Sequence, residues 1–195
     1  STSPATNAYI KSDFTVGYTL SEAVASGAIV FTGPTTHTCT LQGTALNTGA
    51  HSYAPATDAN KCTAWTSLVG TETYTVTFNA TDNAANTATQ VSNTGVTYDV
   101  VAPTTAVIIA NAVYGPNTFT PHTDIINGTA ADTGGGSVAS VEVEIYNGTN
   151  YWTGSTWGSA TWLAATTGTT TWKYTIDDTN FSNGLTYTVT ARATD

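Results

Sequence analysis

The sequence predicts an all-β protein made of two β-sandwiches in tandem. Three features carry this prediction: the composition, an internal repeat and a series of short alternating segments. Threonine occurs 45 times among the 195 residues, and Thr, Val, Tyr and Trp favour the pleated surface of a sheet over a helix. The hydrophobic fraction of 40% is enough to build packed cores.

An internal repeat indicates two equivalent folding units. Residues 73–82 read TYTVTFNATD and residues 186–195 read TYTVTARATD, so eight of ten positions are identical at an offset of 113 residues. That offset is the length of one ordinary domain. Between the copies, Pro103 stiffens what we interpret as a connector over residues 100–105. We predict one domain at 1–102 and a second at 103–195.

Each half shows short strand-like runs separated by turn residues, at the spacing expected of a sandwich. In the first half the predicted strands cover residues 14–20, 27–31, 38–43, 72–80 and 91–100. In the second half they cover residues 124–131, 138–146, 151–153, 170–175 and 186–194.

Alternation within the repeated segment predicts which side chains face the core. The inward positions are Tyr74, Val76, Phe78 and Ala80 in the first copy and Tyr187, Val189, Ala191 and Ala193 in the second. The first half continues into a further predicted strand, and the second copy has no counterpart of it. We therefore expect the second sandwich to lack its last strand, which either a longer array or a neighbouring chain would supply.

Several stretches together carry a family pattern. Residues 13–23 read DFTVGYTLSEA, residues 74–86 read YTVTFNATDNAAN, and residues 94–99 read TGVTYD. These stretches resemble the bacterial Ig-like (Big-type) tandem repeats of large surface and adhesin-like proteins, and residues 151–157 resemble a sister type. The late loop of that family usually reads A-T-D-x-A-G-N, and here Ala85 stands in place of the glycine. The resemblance implies that both sandwiches are immunoglobulin-like.

Charge and motifs exclude several classes of function. Four Lys+Arg residues stand against 13 Asp+Glu, giving a net charge of -9, so no basic surface exists to neutralise the phosphates of a nucleic acid. The sequence contains no run of 18 apolar residues, and we predict no membrane insertion within this segment. Neither G-x-S-x-G nor H-E-x-x-H occurs, and Glu142 and Glu144 share one face of a strand. We predict that the chain is not an enzyme.

Cys39 and Cys62 are predicted to form a disulfide. They are the only two cysteines and lie in the same half of the chain, as expected in an oxidising compartment. The nearby His37 and His51 leave a zinc site as the alternative, although neither cysteine belongs to a close C-x2-C pair. A disulfide closing residues 40–61 would stabilise the fold by about 3 kcal/mol.

Asp82, Asn83, Asn86 and Asp99 are the candidate calcium ligands. Carboxylate and amide oxygens that meet near the end of a domain can bind Ca²⁺ and stiffen the junction. The same residue types also organise turns without a metal. We therefore expect no required cofactor, with calcium as an option.

Trp152, Trp157 and Trp162 are the candidate glycan-binding residues, because exposed indole rings can stack on sugar rings. The alternative is that this Trp-rich insertion forms hairpins whose rings pack on one another or on the sheet. We favour packing.

The resemblance implies a structural or adhesive stalk repeat of an extracellular bacterial surface protein or filament. Such a repeat acts as a rigid spacer and can self-associate by strand donation. Its partners would be neighbouring Ig-like modules of the same or identical chains, together with surface glycans. The alternative function is a carbohydrate-binding module of a secreted protein, which would use the Trp-rich segment of the second domain.

Overall fold

The computed structural model describes residues 1–108 and 125–195. Within these ranges the protein is all-β, and its sheets pack in a sandwich-like arrangement, as predicted. The described ranges hold no helix with the length and apolar character that a membrane crossing requires. By its internal contacts the chain divides into two compact units, unit 1 (Ser1–Val101) and unit 2 (Ala102–Asp195).

Unit 1 contains eight strands and one short 3-10 helix. The strands are β1 (Tyr9–Ile10), β2 (Val16–Leu20), β3 (Val24–Thr32), β4 (Thr36–Leu41), β5 (Gly49–Tyr53), β6 (Cys62–Thr63), β7 (Thr73–Asp82) and β8 (Val91–Tyr98), and the helix is Gly43–Leu46. A six-stranded sheet has the order β1-β8-β7-β3-β4-β6, and β2 pairs with β5 in a second sheet.

The described part of unit 2 contains eight further strands and one 3-10 helix. The strands are β9 (Thr104–Val107), β10 (Ile125–Ala131), β11 (Ser140–Tyr146), β12 (Tyr151–Trp152), β13 (Trp157–Gly158), β14 (Leu163–Ala164), β15 (Thr171–Thr175) and β16 (Thr188–Thr194), and the helix is Asp178–Asn180. One sheet has the order β15-β10-β9, and the other runs β13-β12-β11-β14 with β16 also paired to β11.

The core of unit 1 follows from the alternation of its strands. On β7, Tyr74, Val76 and Ala80 are buried, and Phe78 is partly buried against the same core cluster. The predicted inward face of this strand is confirmed. Val96 of β8 is fully buried beside it, because β8 pairs with β7 and places Val96 opposite Tyr74.

The two repeated segments occupy the same place in their sheets. β7 pairs antiparallel with β3, and β16 pairs antiparallel with β11. In each unit the strand before that partner pairs with a strand that lies, along the chain, between the partner and the repeat: β2 with β5, and β10 with β15. The units differ on the far side of the repeat, where β8 flanks β7.

Gly128 shows how unit 2 accommodates its largest core residue. Trp172 of β15 lies opposite Gly128 of β10 and is fully buried. Its indole N–H donates to the hydroxyl of Thr105 at 3.1 Å. A Cβ atom on Gly128 would collide with the Trp172 ring and with the carbonyl oxygen of Ala106. The missing side chain is therefore what lets the indole lie against the sheet.

Two expectations need correction. Thr104 and Thr105 were assigned to the connector, but they belong to β9 and pair with Ala131 and Ala130. A proline-stiffened segment is already extended, so it can add to a sheet without a change of backbone conformation.

The polar strand β5, GAHSY, was not predicted, and it forms because β2 offers a partner. Asp124, the predicted start of the strand at 124–131, lies outside the described residues.

We predict that Gly128→Ala lowers the stability of unit 2 by about 1–3 kcal/mol, the usual cost of overpacking a core. Tryptophan fluorescence during urea unfolding measures this, because four of the five tryptophans lie in unit 2. Gly158→Ala is the matched control, since its Cβ would meet only the Thr153 methyl at 3.5 Å. If the two variants unfold at the same urea concentration, the packing of Trp172 on Gly128 does not limit stability.

Candidate functional site

The outer edge of β16 is the first candidate site. Among residues 1–108 and 125–195, β11 is the only strand that pairs with β16, and β9 passes close by without pairing to it. The N–H and C=O groups on the other side of β16 therefore have no backbone partner in the described part of the chain. An edge of this kind is a template for another strand.

The inward side chains of β16 are less buried than those of its counterpart. Val189 and Ala193 are only partly buried, whereas Val76 is fully buried and Ala80 is 9% exposed at the equivalent positions of β7. In unit 1, β8 pairs with β7 on the side where, within the described residues, no strand pairs with β16. Within the described residues, this side of β16 therefore has no pairing strand.

The tryptophans of the insertion are packed into unit 2 to different degrees. Trp152 is buried, and its indole N–H donates to the Tyr174 hydroxyl at 3.1 Å. Trp157 donates to the carbonyl oxygen of Asn180 at 3.0 Å. Its ring packs against Trp152 and Tyr187 at centroid distances of 5.5 Å. Neither indole stands out from the sheet as a free platform.

Trp162 is partly exposed, and a cation covers one of its faces. The Arg192 guanidinium lies 4.3 Å from the centre of the indole, and its Nε atom donates to Glu142 at 2.7 Å. This stacking is a cation–π contact held in place by an ion pair. The packing alternative weighed from the sequence therefore agrees better with the geometry of all three tryptophans than a sugar-binding platform does.

The first three calcium candidates form a tight turn after β7. The Asp82 carboxylate accepts hydrogen bonds from the backbone N–H groups of Ala84 and Asn86 and from the Asn86 side chain, each at 2.8 Å. These bonds, led by the one from the Asn86 side chain, lower the pKa of Asp82. The turn is held by its own donors, as expected of Asp and Asn at such positions.

Asp99 does not join these residues. β7 and β8 are antiparallel, and Thr73 at the start of β7 pairs with Thr97 near the end of β8. Asp99 follows β8 beside Thr73, whereas Asp82 ends β7 nine residues further along, about 30 Å away at the rise of an extended strand. The expectation that all four candidates meet at one end of the domain is therefore corrected.

Ala85 adopts a backbone conformation that glycine usually occupies. Its φ is 68°, in the left-handed region, where a Cβ atom is strained against the neighbouring carbonyl. The hydrogen bonds to Asp82 on either side of Ala85 keep the turn closed despite this strain.

Cys39 and Cys62 form the predicted disulfide. Both are buried, Cys39 on β4 and Cys62 on β6, and they join the excursion between these strands to the core of unit 1. The alternative in which these cysteines bind zinc is excluded, since a disulfide sulfur is not a thiolate ligand.

A buried histidine network lies at the end of the large sheet and was not anticipated. His37 is 6% exposed. Its Nε2 atom lies 2.7 Å from the Thr35 hydroxyl, and Nδ1 lies 2.8 Å from the Thr66 hydroxyl. The Glu72 carboxylate accepts hydrogen bonds from Tyr74 at 2.7 Å and from Thr35 at 2.8 Å. Because Thr35 gives its proton to Glu72, Nε2 of His37 must donate to Thr35.

This network joins three separate segments of unit 1 and holds the 63–72 segment against the sheet. The hydroxyl groups of Tyr74 and then Thr35 lower the pKa of Glu72. The sequence offered one signal of it, a Glu two residues before a Tyr predicted to be buried.

No protein-family model matches the chain, and no curated protein matches it.

We predict that Glu72→Gln lowers the stability of unit 1 at pH 7 and has little effect at pH 3. The folded state lowers the pKa of Glu72, so this carboxylate stabilises the fold above its unfolded pKa of about 4.3 and loses that contribution as the pH falls. Urea unfolding at both pH values, followed by hydrogen exchange of β7 peptides, measures the effect. Glu22→Gln, at an exposed position, is the control. A loss that is equally large at pH 3 would contradict a role for the charge.

We predict that Ala85→Gly stabilises unit 1 by roughly 0.5–1 kcal/mol, because glycine relieves the left-handed strain. Calorimetry measures the shift in unfolding temperature. Ala84→Gly, in the same turn but without a positive φ, should destabilise slightly through backbone entropy. If glycine at position 85 does not raise the unfolding temperature, residue 85 does not adopt the left-handed conformation in solution.

Proposed function

We propose that the chain is a structural repeat of an extracellular stalk or filament, built of Ig-like modules. The observation that carries the proposal is the edge of β16, where the backbone has no partner in the described part of the chain and the apolar side chains are partly exposed. The disulfide supports an oxidising location. The net charge of -9 and the scarcity of Lys and Arg favour neither nucleic acid nor an anionic membrane surface as a partner.

In this proposal β16 is the acceptor for a strand from a neighbouring module of the same or an identical chain. Main-chain hydrogen bonds would give affinity, and alternate side chains would give register. The donated strand would cover Val189 and Ala193 as β8 covers their equivalents in unit 1. Joining modules in this way distributes load over a ladder of hydrogen bonds, which suits a spacer.

Unit 1 indicates what the donated strand looks like. The repeated segments that contain β16 and β7 are identical at eight of ten positions, and β8 complements β7 with Val96 opposite Tyr74. The residue equivalent to Tyr74 is Tyr187, which is partly buried. A strand with the alternation of β8 should therefore fit beside β16 in the same register.

We predict that a synthetic peptide of residues 88–99 binds unit 2 of the intact chain. Binding should slow hydrogen exchange of the β16 amides that face away from β11 and leave β3 unchanged. The matched control is the same peptide with Val96→Asp, which would place a charge where Val96 is fully buried in unit 1 and should not bind.

Two results would overturn the acceptor role. One is that neither peptide binds at millimolar concentration. The other is that the outward amides of β16 are already as protected as those of β7 in the isolated chain.

A further inference from the structure

Three strands of the large sheet of unit 1 share an outward face whose aligned side chains carry no charge. The outward side chains of β4, β3 and β7 line up in rungs across these three neighbouring strands. The first two rungs are Thr36–Thr32–Thr75 and Thr38–Val30–Thr77, and we call these six residues the threonine face. Thr32 and Thr36 are exposed, and the other four are partly exposed. The next rung, Thr40–Ala28–Asn79, is also uncharged.

The hydroxyl groups of this face are available to a partner. Within the described residues, none of its five threonine hydroxyls hydrogen bonds to the protein. Their methyl groups and Val30 supply apolar area between the hydroxyls. Such a surface loses little solvation on contact and can still exchange hydrogen bonds.

The equivalent strands of unit 2 show that this fold does not require an uncharged outward face. β11 and β16 correspond to β3 and β7, and their outward faces carry Glu142, Glu144 and Arg192. Glu142 and Arg192 are already joined in an ion pair of 2.7 Å. The uncharged face is thus a property of unit 1 alone among the described strands.

We infer that the threonine face is a docking surface for a second copy of this chain, sheet against sheet. Two copies that each carry a charge of -9 repel each other, and they approach with least repulsion where neither presents a carboxylate. A hydroxyl is both donor and acceptor, so a threonine face is complementary to itself. This suits the two-fold contact of identical subunits, in which the same patch faces itself.

Sheet twist favours another sheet over a flat partner. Neighbouring strands rotate by about 20–25°, so the two outer strands of this face are turned by about 40–50° relative to each other and a rigid planar surface fits them poorly. A second twisted sheet packs across the whole face at an angle of about 30°. The partner therefore has the same curvature as the face itself.

The contact is weak and reversible. The face covers three neighbouring strands, about 10 Å across, and its rungs repeat about every 7 Å along them, so it offers on the order of 100–200 Å² per copy. A stable interface needs about 800 Å² per partner. Lateral contacts of this strength gain from multivalency when many copies lie side by side, which suits bundled stalks. The surface is separate from the β16 edge, so either contact can fail without the other.

Sedimentation velocity of the intact chain over a range of concentrations tests the proposal. The wild type should show a reversible monomer–dimer equilibrium. Thr38→Glu with Thr77→Glu places two carboxylates in the second rung and should raise the dissociation constant at least about tenfold, because like charges then face each other. Thr171→Glu with Thr175→Glu, at exposed positions of β15 in unit 2, adds the same charge and should leave the equilibrium unchanged. Circular dichroism checks that both variants fold.

Oxidative cross-linking gives a second measurement that does not depend on the charge variants. Val30→Cys, on the central strand of the face, should form a disulfide-linked dimer under mild oxidation, and Thr171→Cys should not. A chain that stays monomeric at millimolar concentration, or a dimer that both charge variants weaken equally, would overturn the proposal. So would cross-linking that is as efficient at position 171 as at position 30.

Discussion

One antiparallel ladder in each unit positions most of the other elements: β3 with β7, and β11 with β16. Because side chains alternate along a strand, the register of this ladder decides which residues enter the core and which face outward. A slip of one residue would bring Thr75 and Thr77 inside and expose Tyr74 and Val76. The large burial free energy of these inward residues makes such a slip costly.

The equivalent strand pairs, β3–β7 and β11–β16, have different neighbours in the two units. Both proposed contacts depend on that difference. In unit 1 the far side of the repeat is paired with β8, and the outward face is uncharged. In unit 2 the repeat has an open edge within the described residues, and its outward face is charged. The same strand sequence therefore lies in the interior of a sheet in unit 1 and, within the described residues, at an edge in unit 2.

Local patterns were reliable where one face of a strand is clearly apolar. The inward set of β7 and the pairing of Cys39 with Cys62 followed from alternation and cysteine count. Polar strands such as β5 were missed, because Gly, Ala, His and Ser carry no alternation and pair only when β2 is present. The calcium candidates failed as a group for a different reason: a chain that reverses between β7 and β8 separates Asp82 from Asp99 instead of joining them.

The sequence by itself determined the β-rich character of the chain, the repeat and the inward side chains of that repeat, since all three depend on local periodicity and residue type. Tertiary structure alone decided which backbone edges stay unpaired among the described residues, that Trp152 is buried and Arg192 covers Trp162, and that the outward residues of three strands form one uncharged face. These features arise when segments distant in sequence pair in register, and no short window of sequence contains that information.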